Sequence, residues 1–266
     1  MSIIVVGSTA FDDIETPKGK RTRIIGGSCI YFSLAACFRS NPRIVSVVGK
    51  DFSKNFFKKL NMKSIDTSGL LIKDGKTFSW GGKYKSISED PETRFTNLNV
   101  FENFQPIIPS SYEIKKKIVF LANIDPDLQN KVLDSLDSKK FIGMDTMNFW
   151  IESYRDKLNE LIEKVDLISI NDEEALQLTD CQSIVEAAYK IQNMGPKYVI
   201  IKKGEEPVVY CVMNKITNCM WKVPMEIGVI KHSLVYGVEN GGNIGRNKAL
   251  FKEFVKIGVY RGIFCL

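Results

Sequence analysis

Six short apolar runs, each closed by a glycine or a polar residue, recur between helix-like stretches. They are Ile3–Val6 before Gly7, Arg43–Val48 before Gly49, Ile118–Ala122 before Asn123, Phe141–Met144 before Asp145, Leu167–Ile170 before Asn171, and Tyr198–Lys202 before Lys203. Strands with few polar positions are buried on both faces, so helices must cover the sheet above and below. The intervening stretches Gly26–Phe38, Pro126–Leu136, Ile151–Val165 and Ser183–Met194 can supply that cover. In the last of these, Ile184, Ala187, Ala188 and Ile191 recur at helical spacing. The expectation is an α/β protein with a doubly wound, mostly parallel sheet. Such a sheet gathers the carboxyl ends of its strands along one edge, where ligands bind.

One region breaks this rhythm. Residues 77–104 are rich in aromatic residues, Thr and Ser with alternating polarity, and residues 12–25 read as a hairpin turning at Pro17 and Gly19. Both suit antiparallel strands. Together they are expected to form a small β lid over the sheet edge, the alternative being an extension of the main sheet. A projecting lid is also a surface through which two copies could pair as a homodimer.

Composition excludes several classes of function. The chain has 266 residues, 44% hydrophobic and 26% charged, with a net charge of +6, which is ordinary for a globular protein. The lysines are scattered, as in Lys58-Lys59 and Lys115-Lys116-Lys117, with no basic face interleaved with aromatics. No nucleic-acid partner is expected, and the positive balance favours small anionic substrates. No apolar run approaches the roughly 20 residues that span a bilayer, so no membrane partner is expected. The six cysteines show no CxxC spacing and Met1–Gly7 lacks a basic leader, so a reduced, cytoplasmic protein is expected. The lone histidine, His232, excludes a multi-histidine metal site and makes a Ser-His-Asp hydrolase a poor fit.

The polar residues at the strand ends carry the chemistry, each with a plainer reading beside it. Asn171-Asp172-Glu173-Glu174 can be a capping box, with Asn at the helix start and Glu three residues on. At the end of a buried strand the same carboxylate can hold waters of a Mg²⁺ ion beside a nucleotide. Gly26-Gly27 opens a helix, as a tight turn or as backbone amides that approach a ligand closely. Asp12 can accept hydrogen bonds from sugar hydroxyls or simply sit in a turn. Asn123, Asp145 and Lys203-Gly204 put further polar groups at strand ends. A nicotinamide site is a poor fit, because Gly7-Ser8-Thr9-Ala10 lacks the second and third glycines of GxGxxG.

In combination these segments resemble the PfkB/ribokinase family of carbohydrate kinases over roughly residues 1–224. The resemblance rests on Gly7 with Asp12, on Gly26–Ala36, on Val-Gly-Lys-Asp-Phe at 48–52 and on the aromatic lid segment. It continues through Asp145-Thr146, Ile-Asn-Asp-Glu-Glu-Ala at 170–175 and Ile-Lys-Lys-Gly at 201–204. It implies transfer of the ATP γ-phosphoryl group, aided by Mg²⁺, to a hydroxyl of a sugar or nucleoside. By the same resemblance Asp12, Gly26 and Gly27 would hold substrate hydroxyls, with Tyr31, Asn123 and Asp145 nearby. Tyr31 stands where many relatives carry asparagine, which argues against ribose itself. Asn171, Lys203 and Gly204 would border the nucleotide, and Glu174 would order the metal.

The resemblance stops short of the catalytic turn. Relatives continue into Gly-Ala-Gly-Asp, whose amides form an anion hole and whose Asp deprotonates the acceptor. Here residues 223–248 read Val-Pro-Met-Glu-Ile-Gly and onward to Asn240-Gly241-Gly242-Asn243, which contains no such aspartate. Either that stretch is a degenerate anion-hole turn opening a helix over Arg246–Lys256, or residues 225–266 form a divergent or truncated segment. No catalytic residue is assigned, and a non-catalytic sugar- or nucleotide-binding protein is the alternative function.

Overall fold

The computed structural model describes residues 2–38, 40–85, 91–112, 118–136, 141–203, 208–212 and 215–219. Its first elements are β1 (Ser2–Val6), β2 (Ala10–Thr16), β3 (Gly19–Gly26), α1 (Ser28–Ala36), β4 (Asn41–Gly49) and α2 (Lys54–Met62). Next come β5 (Asp66–Lys73), β6 (Phe78–Lys83), β7 (Glu92–Asn97), β8 (Ile118–Leu121), α3 (Pro126–Asp134) and β9 (Phe141–Met144). The remainder are α4 (Asn148–Ser153), α5 (Arg155–Ile162), β10 (Leu167–Asn171), α6 (Asp172–Thr179), α7 (Ile184–Asn193), β11 (Tyr198–Lys202), β12 (Val208–Val212) and β13 (Lys215–Cys219).

The main sheet runs β13-β12-β11-β10-β9-β8-β1-β4-β5. From β5 to β11 every pairing is parallel, and β12 and β13 add an antiparallel pair at one edge. All six runs singled out in the sequence are strands of this sheet. Their side chains divide by alternation into two cores. Ile4, Val6, Val119, Leu121, Met144, Ile168, Ile170, Val199 and Ile201 pack with α3 to α7. Ile3, Val5, Phe120, Phe141, Leu167, Tyr198 and Ile200 face the side that carries α1 and α2. Fully burying each such side chain is worth about 1.5–3 kcal/mol, so the alternation fixes which face each residue takes.

The strand order turns at β1. Chain progress goes from β1 to β4 and β5 on one side, and from β8 to β11 on the other. The crevice at the carboxyl ends of β1 and β8 is therefore the topological switch point, where α/β sheets hold ligands.

The lid segments form a separate sheet of order β3-β2-β6-β7, not an extension of the main one. Its pairings are antiparallel except for β2 with β6, which run parallel. Two departures from expectation have local causes. The stretch Ile151–Val165 is two helices, because Tyr154 at φ −138°, ψ 34° breaks the spiral between α4 and α5. Helix α2 is only nine residues long and its apolar stripe is limited chiefly to Phe56, Phe57 and Leu60, too few turns to mark a helix by periodicity in sequence. The expected helix over Arg246–Lys256 and the turn at Asn240–Asn243 lie outside the described residues. Among the described residues, no helix is long and apolar enough to cross a membrane.

Candidate functional site at the carboxyl edge of the sheet

Two serines lock the switch point together. The Ser8 amide donates to Ser28 Oγ at 3.2 Å and the Ser28 amide donates to Ser8 Oγ at 3.0 Å. The Ser28 hydroxyl in turn donates to the Asn123 carbonyl at 2.9 Å, and the Trp150 indole donates to Asn123 Oδ1 at 2.9 Å. The ends of β1 and β8 and the starts of α1 and α4 are thus fixed to one another. Gln129, 1% exposed, spans the next gap by donating to the carbonyls of Leu121, Ala122 and Asp145. Asn123 is engaged through both its carbonyl and its side chain, so its role in the structure is at least that of a clamp.

Asp12 lies within β2 rather than in a loop and is 5% exposed. Its Oδ2 accepts a hydrogen bond of 2.5 Å from the Tyr31 hydroxyl, one turn into α1. Gly26 makes this approach possible. A Cβ there would stand 2.1 Å from Asp12 Oδ2 and 2.8 Å from the Tyr31 hydroxyl. Gly27 caps α1 at φ 93°, and its missing Cβ would fall 2.4 Å from the Ser8 carbonyl oxygen. Both glycines are therefore required by contacts: Gly26 by the carboxylate beside it, Gly27 by left-handed backbone and the chain beneath. Asp12, Gly26, Gly27 and Tyr31 form one cluster.

Glu174, 3% exposed, makes the reciprocal capping box with Asn171. Its Oε2 accepts from the Asn171 amide at 2.7 Å, and Asn171 Oδ1 accepts from the Glu174 amide at 2.6 Å. The structural role expected of this pair is real. It holds a buried carboxylate at the positive end of α6, at the carboxyl end of β10 in the main sheet.

Asp145 brings in Lys202, which the sequence placed in the Ile-Lys-Lys-Gly stretch but did not assign to the site. Lys202 Nζ lies 3.6 Å from Asp145 Oδ1, with side-chain exposures of 3% and 8%. By strand alternation Asp145, Ser169 and Lys202 share the face of Phe141, Leu167, Tyr198 and Ile200. The ion pair therefore bridges β9 and β11 across β10. Burying a lysine is costly enough that it needs a partner. A lysine ending the otherwise apolar run Tyr-Val-Ile-Ile-Lys was the signal available in the sequence. Lys203, beside it, is half-buried, and Gly204 lies outside the described residues. The buried hydroxyls of Thr9 and Thr146, on loops at the same edge, have no hydrogen-bond partner among the described residues.

The small sheet has two distinct faces. Asp12 and its register partner Trp80 share one face, while Phe11, Asp13 and Ser79 share the other. A cavity of about 460 Å³ lined by Phe11, Asp13, Arg23, Asp51, Ser79 and Phe95 opens on this second face. It is therefore separate from the Asp12 cluster. Among the described residues no group of three or more His, Cys, Asp or Glu is arranged to hold a metal ion.

Comparison with known proteins agrees with this architecture. The family model described as pfkB family carbohydrate kinase matches residues 26–226. A cytidine kinase from Thermococcus kodakarensis is 28% identical over 215 residues, spanning 79% of this chain and 75% of that protein. Among solved structures, the nucleoside kinase of Methanocaldococcus jannaschii superposes with a TM-score of 0.63 at 18% identity, covering 82% of this chain and 75% of that one. The ribokinase of Thermotoga maritima gives 0.62 at 16% identity, covering 84% and 79%. The nucleoside kinase of Burkholderia thailandensis, solved with inosine, gives 0.63 at 14% identity, covering 82% and 75%. With the switch-point crevice, the separate small sheet and this match across most of its length, the chain belongs to the pfkB family of carbohydrate kinases.

Proposed function

We propose that the chain binds a sugar or nucleoside through Asp12, Gly26 and Gly27 and places a hydroxyl of it before the γ-phosphate of ATP. The observation that supports this reading most is that Gly27, in the Asp12 cluster, packs against Ser8 just past the end of β1, while the Asn171–Glu174 turn ends β10 of the same main sheet. The strand order there is β1, β8, β9, β10, so β1 and β10 stand roughly 14 Å apart at the usual strand spacing. An acceptor and a nucleoside triphosphate can bridge that span end to end.

Asp12 accepts acceptor hydroxyls, and the Tyr31 hydroxyl orients its carboxylate. Asn171 and Lys203 border the donor phosphates. Glu174 fits a magnesium ion held through its waters: it is a lone hard carboxylate, and magnesium takes few protein ligands and keeps several waters. When bound, that ion neutralises charge on the donor phosphates. Transfer forms a bond from the acceptor oxygen to the γ-phosphorus and breaks the bond to the β,γ-bridging oxygen. The acceptor proton must leave to a base, and Asn243 in the expected position has no basic side chain. Losing a general base costs about 10²–10⁴-fold. That departure favours a second reading, in which residues 1–224 form a binding domain that recognises the same ligands without turnover, and 225–266 a divergent segment.

Calorimetric titration of the full chain with Mg-ATP and a panel of sugars and nucleosides, paired with a phosphoryl-transfer assay, tests both. Saturable binding abolished by Asp12→Asn, with phosphorylated product, supports the kinase. The same binding without product supports the binding protein. Wild-type and Asp12→Asn proteins that bind every ligand equally refute both.

A further inference from the structure

We infer that Trp80 selects the class of acceptor: its indole is a stacking platform for a nucleobase, so the site takes a nucleoside in preference to a free sugar. The inference rests on the proposed role of Asp12.

Trp80 and Asp12 are register partners on the parallel pair β6 and β2. Their backbones are therefore about 4.8 Å apart, with side chains leaving the same face of the small sheet. The indole does not stand alone on that face. A Cβ at Gly82, two residues further along β6, would meet Trp80 Cη2 at 2.1 Å and two more ring atoms within 2.8 Å. The benzo end of the ring thus occupies the space over Gly82, the register partner of Ile14, so the indole lies along the strand from its attachment opposite Asp12. On the opposite face Gly81 is covered by Phe95 in the same manner. Glycine in a strand interior marks a bend or a close approach, and here each glycine accommodates an aromatic ring.

Trp80 nonetheless remains half-buried rather than buried. Its register partner on β7, Thr96, is exposed and leaves the sheet on the same side, as directly opposed residues do. The face therefore offers a carboxylate held by Tyr31, an aromatic surface one strand away, and a hydroxyl one strand beyond. A nucleoside carries a matching series: ribose hydroxyls, a planar base, and polar atoms on the base edge. A free sugar uses only the first of the three.

The test uses the full chain with cytidine, uridine, adenosine and inosine as probes and ribose as the base-free control, read by calorimetry and by tryptophan fluorescence. Nucleosides are expected to bind more tightly than ribose and to quench emission. Trp80→Ala is expected to weaken nucleoside binding about 5- to 150-fold, the range for loss of one base–aromatic stack, while leaving ribose affinity unchanged. Trp80→Phe is expected to keep nucleoside affinity within a few-fold and lose the quench, which assigns the signal to this indole rather than to Trp150 or Trp221. Equal affinity for ribose and nucleosides in the wild type overturns the inference and leaves the Asp12 reading intact. So does a Trp80→Ala variant that weakens both ligands equally, since covering Gly82 would then be the residue's whole role. If Trp80→Ala does not fold, the wild-type preference and the Trp80→Phe quench decide. Absence of binding by every probe refutes the Asp12 reading and this inference with it.

Discussion

Replacing Lys202 by Met should cost far more stability than a typical lysine substitution. At 3.6 Å separation, two unit charges attract by about 4.6 kcal/mol at an effective dielectric of 20. The pair is nearly buried, so neither charge recovers solvation when the other is removed. Asp145 would retain, among the described residues, the Thr146 amide at 3.1 Å, too little to satisfy a carboxylate. The expected loss is about 3–5 kcal/mol, the range for breaking a buried ion pair on one side. That is a large share of the 5–15 kcal/mol typical of a domain. It corresponds to a melting temperature lower by about 6–20 °C at roughly 2–4 °C per kcal/mol. The double variant Lys202→Met/Asp145→Leu removes both charges and should recover most of the loss, because apolar replacement of a buried pair is often neutral. Urea unfolding by circular dichroism with both melting curves measures this. A loss under about 1 kcal/mol at unchanged m-value, or a double variant worse than the sum of the singles, would refute the reasoning.

Other perturbations separate structural from ligand-related roles. Gly27→Ala forces a side chain into left-handed backbone and against the Ser8 carbonyl, so it should destabilise by about 2 kcal/mol or more, seen as a lower urea midpoint. Gly26→Ala instead displaces Asp12, so its main effect should be loss of acceptor affinity, measured by titration on a protein that still folds. Asn171→Ala removes the cap and should cost about 1 kcal/mol, whereas Glu174→Gln keeps an acceptor for the Asn171 amide and should weaken Mg-ATP binding more than stability. Burial pushes the Tyr112 phenol above its ordinary value of 10.0. A raised folded value means the stabilisation is complete below about pH 10 and is lost as pH rises beyond it, while the unfolded phenol ionises first. Unfolding free energy should therefore fall above that pH, with a shallower fall in Tyr112→Phe. That variant should also lose about 1 kcal/mol at neutral pH with the bonds to the Gly69 amide at 2.8 Å and the Ile44 carbonyl at 3.2 Å.

What could be read in the sequence and what could not divides along physical lines. A strand buried on both faces has little choice of composition, so Phe141–Met144 and Tyr198–Lys202 were legible to the residue. Reciprocal capping is likewise local, and Asn171 with Glu174 needed only a spacing of three. Strand β5 was not legible, since its Asp66, Thr67 and Ser68 give it a polar start. The Asp145–Lys202 pair lies 57 positions apart in the chain, and only the register of β9, β10 and β11 brings the two charges onto one face. Trp80 was visible as an aromatic in a lid strand, but its place beside Asp12 depends on β2 and β6 pairing in parallel. An antiparallel pairing, the simpler expectation for neighbouring lid strands, would have set a different residue opposite the carboxylate.

The Asn171–Glu174 turn shows why a plain reading and a functional one need not compete. A capping box holds its glutamate in one rotamer, with the carboxylate at the start of α6 and a hydrogen bond to the strand end. The same restraint is what a metal-ordering carboxylate requires, because an ion that keeps most of its water gains little from a side chain that must first be ordered. The fold has already met that entropic cost, about 1.5–2 kcal/mol for a glutamate side chain, before any ligand arrives. On this argument Glu174→Asp should be the revealing variant. Its shorter side chain can no longer reach back to the Asn171 amide while staying in place, so stability and Mg-ATP affinity should fall together, each by about 1–2 kcal/mol. Separate titrations and unfolding curves decide it: a variant that loses stability at full Mg-ATP affinity would confine Glu174 to capping.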